Sequence, residues 1–63
     1  MNLADLAKGI AIILRYQPNT IFDGHSGTLF CGAYNPADMT LEDIATLEQL
    51  GWGEYEDSWA LEI

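Results

Sequence analysis

The chain predicts an α+β fold of order α-β-β-α-β(-β), with two helices packed on one face of a small, mostly antiparallel sheet. Three observations carry this expectation. Apolar residues recur at three- and four-residue steps near the start, glycine-bearing turns separate short β-favouring runs, and the last residues alternate apolar with polar. Two amphipathic helices and a half-apolar sheet each need cover, and stacking both helices on one sheet face supplies it economically. Sixty-three residues predict a single compact domain, 1–63, which buries only about 60% of the surface its unfolded chain exposes.

Leu3, Leu6, Ala7, Ile10, Ile13 and Leu14 form one stripe of a helix from Leu3 to Tyr16, with Asp5, Lys8 and Arg15 on its outer face. At 100° per residue Ile12 falls within that polar face and is expected to be exposed. The helix should stop before Gln17-Pro18, because a residue preceding proline is pushed out of the α region. Thr20 to Asp23 and Thr28 to Ala33 are β-favouring runs, and Gly24-His25-Ser26-Gly27 between them supplies the positive φ that a reversal needs. Phe22, Phe30 and Tyr34 share one parity, placing them together in the core or on an uncovered aromatic face.

Asn35-Pro36-Ala37-Asp38 is loop chemistry, and Thr40 with Asp43 three residues on makes an N-cap and a shortened capping box. A second helix follows from Leu41 to Leu50, ended by Gly51 as a left-handed C′ residue. Alternation then puts Trp59, Leu61 and Ile63 on one strand face and Ser58, Ala60 and Glu62 on the other. Trp52 to Tyr55 pairs with that strand through a turn at Glu56-Asp57.

Ten carboxylates face two cations, a formal charge of −8, and no Lys or Arg follows Arg15. Through residue 37 Asp5, Asp23, Lys8 and Arg15 cancel. The whole excess therefore belongs to Asp38, Glu42, Asp43, Glu48, Glu54, Glu56, Asp57 and Glu62. Affinity for DNA or RNA comes largely from neutralising phosphates with Lys and Arg, so direct nucleic-acid binding is excluded. An apolar content of 49% is too rich for a disordered acidic tail.

Enzyme chemistry lacks its inventory. His25 and Cys31 are the sole His and Cys and sit in different strands of the expected hairpin, with no third group to orient them. His25 reads as a turn residue and Cys31 as a small buried apolar group. Together they lack two ligands for a closed zinc site, and the acids do not follow Ca²⁺-loop spacing. No catalytic residue, cofactor or metal is expected. One cysteine rules out an internal disulfide, and Asp5, Lys8 and Arg15 break up the apolar run Gly9 to Leu14, so neither a signal peptide nor a membrane span is expected. The simplest location is the cytoplasm.

Several acids have structural uses. Glu42 and Asp43 lie in the first turn of the second helix, where the helix dipole favours anions. Glu48 borders the apolar stripe and is placed to pair with Arg15 or Lys8, and Asp38 suits an Asx turn. Glu54, Glu56, Asp57 and Glu62 have no such local use. In an extended segment Glu54 and Glu56 point to one side about 6.6 to 6.8 Å apart. With Asp57 in the turn and Trp52, Tyr55 and Trp59 around them they form an anionic, aromatic edge, which is either a solvated face that keeps a small protein soluble or a surface suited to the Arg and Lys of another protein.

At Leu47-Glu48-Gln49-Leu50-Gly51-Trp52, followed by acidic Glu54 to Asp57 and then Trp59, the chain resembles small acidic proteins encoded by phages and mobile elements. In these, a helix ending in Leu-x-x-Leu-Gly-Trp leads into an acidic turn and an aromatic strand. Phe22-Asp23-Gly24-His25 before a β run is similar to the same pattern, so the resemblance spans most of residues 20 to 61. Gly53 departs from it, standing where such proteins often carry a bulkier residue. Those with assigned roles include anti-CRISPR inhibitors, some of which imitate DNA.

The resemblance implies a stoichiometric inhibitor that offers an acidic surface to the basic nucleic-acid channel of an effector complex, as a monomer in a bacterial host cell. The partner-binding residues on that reading are Glu54, Glu56, Asp57, Glu62, Asp38, Glu42, Asp43, Trp52 and Tyr55. The alternative is a host-takeover or antitoxin-like module that clamps one cellular protein through Trp52, Tyr55 and an exposed Ile12.

Overall fold

The computed structural model describes residues 2–63. Its elements are α1 (Leu3–Tyr16), β1 (Phe22–His25), β2 (Thr28–Ala33), a short 3-10 helix (Pro36–Asp38), α2 (Leu41–Gln49), β3 (Trp52–Tyr55) and β4 (Ser58–Glu62). The class is α+β. Asn2 starts α1 by accepting the Asp5 N–H at 2.8 Å, and Thr40 starts α2 by accepting the Asp43 N–H at 3.1 Å. Gly51, at φ 98°, ends α2 in the left-handed conformation.

Four strands form one antiparallel sheet in the order β1-β2-β4-β3. Each hairpin closes through two residues of positive φ, Ser26 (53°) with Gly27 (80°) and Glu56 (51°) with Asp57 (63°), the type I′ signature that matches strand twist. Two left-handed residues suffice to reverse the chain. The first turn is therefore shorter than the four residues expected, and Gly24 and His25 belong to β1.

Both helices lie against the face carrying Cys31, Trp52, Trp59 and Leu61, which with Ile12, Ile13 and Leu47 make up the core. Ile12 is 5% exposed, which corrects the expectation of a surface position. The buried arc of α1 is Gly9, Ile12, Ile13 and half-buried Tyr16, at spacings i, i+3, i+4 and i+7. Gly9 sets this arc, because the Trp52 indole fills the space where a Cβ would stand. Leu3, Leu6, Ile10 and Leu14 form a second apolar stripe beside it. Leu3 (79%) and Leu14 (44%) remain exposed.

Between the Phe30–Ala60 and Ala33–Ser58 pairs, Cys31 and Gly32 oppose Trp59 alone, which is a β-bulge. Gly32 takes the left-handed position at φ 73°. One extra residue flips everything after it to the other face. Tyr34 therefore turns into the core, with its ring edge-on to Trp59 at 4.6 Å. Phe22 pairs with Cys31 and so projects on the helix side, 71% exposed. Of the three aromatics expected on one face, only Phe30 stands on the open side of the sheet, where Tyr55 joins it at 6.0 Å.

Candidate protein-interaction site

The connection Leu50-Gly51 returns β3 alongside α2, so the first turn of α2 and the β3–β4 turn lie at the same end of the molecule. Tyr34 donates its N–H to the Asp57 carbonyl at 2.9 Å, bringing the end of β2 to that turn, and the short helix carrying Asp38 follows directly. Topology thus gathers Asp38, Glu42, Asp43, Glu54, Glu56 and Asp57 at one pole. Like charges so gathered repel, and the fold offsets that at only two of them.

Asp43 is one. Arg15, at the end of α1, donates to Asp43 Oδ1 at 3.0 Å, the one ion pair among the described residues. Tyr16 donates its hydroxyl to Oδ2, and the Thr40 N–H reaches the same hydroxyl at 3.4 Å. The Tyr16 hydrogen bond, with Arg15 and Thr40 beside it, outweighs partial desolvation and holds the Asp43 carboxyl below its ordinary range. Arg15 therefore pairs with Asp43 rather than Glu48, which stands exposed. The Asp43 charge belongs to the α1–α2 contact, not to a free surface.

Glu54 is the other. Its Oε2 accepts the Asp57 N–H at 2.9 Å and closes the turn, a local use the sequence did not disclose. Glu56 lies in the turn rather than in an extended strand, so the two-apart alternation with Glu54 does not hold. Glu56, Asp57, Asp38 and Glu42 are all exposed. Glu62 sits at the far end of β4, opposite Thr28, which separates it from the turn it was grouped with.

Trp52 is 3% exposed and cannot be a surface anchor; it is the core residue against which Gly9 packs. Tyr55, 58% exposed, keeps its place beside the acids. The open face reads across the strands as Asp23, Phe30, Ala60 and Gly53 in one row. Small Ala60 and Gly53 floor a shallow trough of about 1120 Å³, walled by Phe30 and Tyr55. Phe30 takes the uncovered face, one of its two expected places, whereas the Ala60–Gly53 floor is set by strand pairing and has no signal in the sequence.

Cys31 is buried, which pushes its thiol up and keeps it protonated. His25 is exposed at the end of β1. Among the described residues no helix is long and apolar enough to cross a membrane. No protein-family model matches the chain, and neither curated proteins nor solved structures give a match.

Proposed function

We propose that this chain is a stoichiometric protein-binding inhibitor, of the anti-CRISPR kind its second hairpin resembles. In this reading it presents its acidic pole to the basic nucleic-acid channel of an effector complex and blocks DNA binding. One observation carries the reading: the topology gathers five exposed carboxylates, Asp38, Glu42, Glu54, Glu56 and Asp57, at one end of the fold, while Arg15 there is already engaged by a sixth, Asp43. A channel built to hold phosphates attracts such a pole by the same long-range field that draws DNA, and binding of one excludes the other. Tyr55 and Phe30 extend the contact with aromatic faces that suit Arg and Lys.

The clamp alternative has lost two of its three anchors, since Trp52 and Ile12 are both in the core. The test is competition: the chain is mixed with candidate effector complexes and labelled DNA. Displacement of DNA by wild type, lost with Glu56→Gln and Asp57→Asn together, supports the proposal. Tight binding to the effector with no DNA displaced would remove the mimicry mechanism.

A further inference from the structure

We propose that the free edge of β1 pairs antiparallel with β1 of a second copy of this chain across a two-fold axis at Gly24, giving a continuous eight-stranded sheet. The inference does not rest on the function proposed above.

The sheet has two free edges and they differ. The β3 edge is guarded by Glu54 and the acidic turn, which repel another chain of the same charge. The β1 edge is exposed along its whole length, and around the Cβ position of Gly24 there is open space. Beside β1 runs an apolar groove of about 370 Å³ between α1 and the sheet. Leu14, Ile21, Phe22 and Ile63, four of the seven large apolar side chains left exposed among the described residues, line it. Its wall is the second stripe of α1, Leu6 and Ile10.

Charge selects the occupant. Two chains of −8 repel through most orientations, but residues 1–37, which supply α1, β1 and β2, sum to zero, and Glu62, two strands away across Thr28, is the one uncompensated acid near this edge. Register is selected too. Partners in an antiparallel pair project to the same face, so a two-fold axis must pass through a residue pair of like parity. Centring on Asp23 sets Asp23 against its own copy, a like-charge pair. Centring on Gly24 instead sets Asp23 opposite His25 of the second copy, twice, on the open face. Four strands, β2-β1-β1-β2, then hold the two copies of α1 about 14 Å apart over three strand spacings of about 4.8 Å. That exceeds the 8–10 Å of direct helix packing, and the gap is entered from its two ends by the Phe22 side chains, each set opposite Ser26 of the second copy. A standard interface takes about 800 Å² per partner, roughly a fifth of the 4296 Å² this chain exposes.

Sedimentation equilibrium from about 1 μM to about 1 mM is the test. The wild-type chain should show a monomer–dimer equilibrium. Asp23→Lys or His25→Glu should each weaken it roughly tenfold through two symmetry-related pairs, and the exchange Asp23→His with His25→Asp should restore it. Phe22→Glu, at an exposed position, should leave a folded monomer. Gly24→Cys should form an intermolecular disulfide under mild oxidation, since cross-strand Cα atoms at about 4.5–5.5 Å fall within disulfide reach. A chain that stays monomeric overturns the proposal, even if β1 accepts an extended strand from a different protein. So does a dimer indifferent to Phe22→Glu and to the charge exchange.

Discussion

A side-chain carbon added at Gly9 would fall inside the contact radius of the Trp52 indole, so α1 and β3 meet at a point only glycine leaves open. Helix propensity alone would reward Gly9→Ala by about 0.8–1.0 kcal/mol. Overpacking against a buried, rigid indole costs about 1–3 kcal/mol and wins. Gly9→Ala should therefore destabilise the chain in urea unfolding. The exposed Ala11 is the control, where Ala11→Gly should lose about 1 kcal/mol by propensity alone.

The bulge at Gly32 should be equally intolerant. A Cβ there would lie 2.6 Å from Gln17 Oε1 and 3.0 Å from Thr20 Oγ1, at a φ of 73° that side chains rarely adopt. Gln17 itself pairs with Ala33 in both directions, accepting its N–H at 2.9 Å and donating to its carbonyl at 2.7 Å. Gly32→Ala should cost about 1–3 kcal/mol in strain, and Gln17→Ala about 1–2 kcal/mol for two hydrogen bonds. Loss of the Tyr34–Trp59 contact should show as a change in near-ultraviolet circular dichroism in Gly32→Ala.

Asp43 gives stability a pH dependence of known sign. Its carboxyl is held below the ordinary value in the folded chain, so as pH falls the unfolded chain takes up the proton first. The stabilisation is complete above the ordinary aspartate range and is lost as pH falls through the lowered folded value. Thermal unfolding of wild type and Asp43→Asn should show a gap at neutral pH that closes in acid. A gap independent of pH would mean the hydrogen bonds act without the charge.

The acidic turn is expected to trade stability for charge. Glu56 and Asp57 both occupy positive φ, where Asn-Gly is the favoured pair and a left-handed residue with a Cβ costs about 1–2 kcal/mol. Glu56→Asn with Asp57→Gly should raise the melting temperature and at the same time weaken effector binding. A variant that gains stability and loses no binding would show the turn charges to be ordinary surface.

Much of the architecture was legible in the sequence because it follows local rules. Thr40, Gly51 and the 58–62 alternation each specify their element without reference to the rest of the chain. What escaped is set by contact between elements. The leucines of α1 mark one stripe, but the buried arc is fixed by Gly9, whose value lies in the space it leaves for Trp52. Strand parity alone puts Tyr34 on the same side as Phe30, and one bulge residue reverses it. The acidic residues divide for the same reason. Glu54, Glu56 and Asp57 adjoin in sequence and stay together, whereas Glu62 was carried off by the length of β4, and Asp38 and Glu42 joined the pole through the reversal at Gly51.

The most direct measurement is the affinity of the chain for an effector complex of the proposed kind as a function of salt, for wild type and for Glu54→Gln, Glu56→Gln and Asp57→Asn combined. Glutamine keeps the oxygen that accepts the Asp57 N–H, so the turn survives neutralisation. Wild-type affinity should fall steeply as salt rises, and the variant should bind weakly with a shallow slope and leave DNA in place. Equal affinity and equal slope for the two proteins would contradict the claim that the acidic pole is the binding surface.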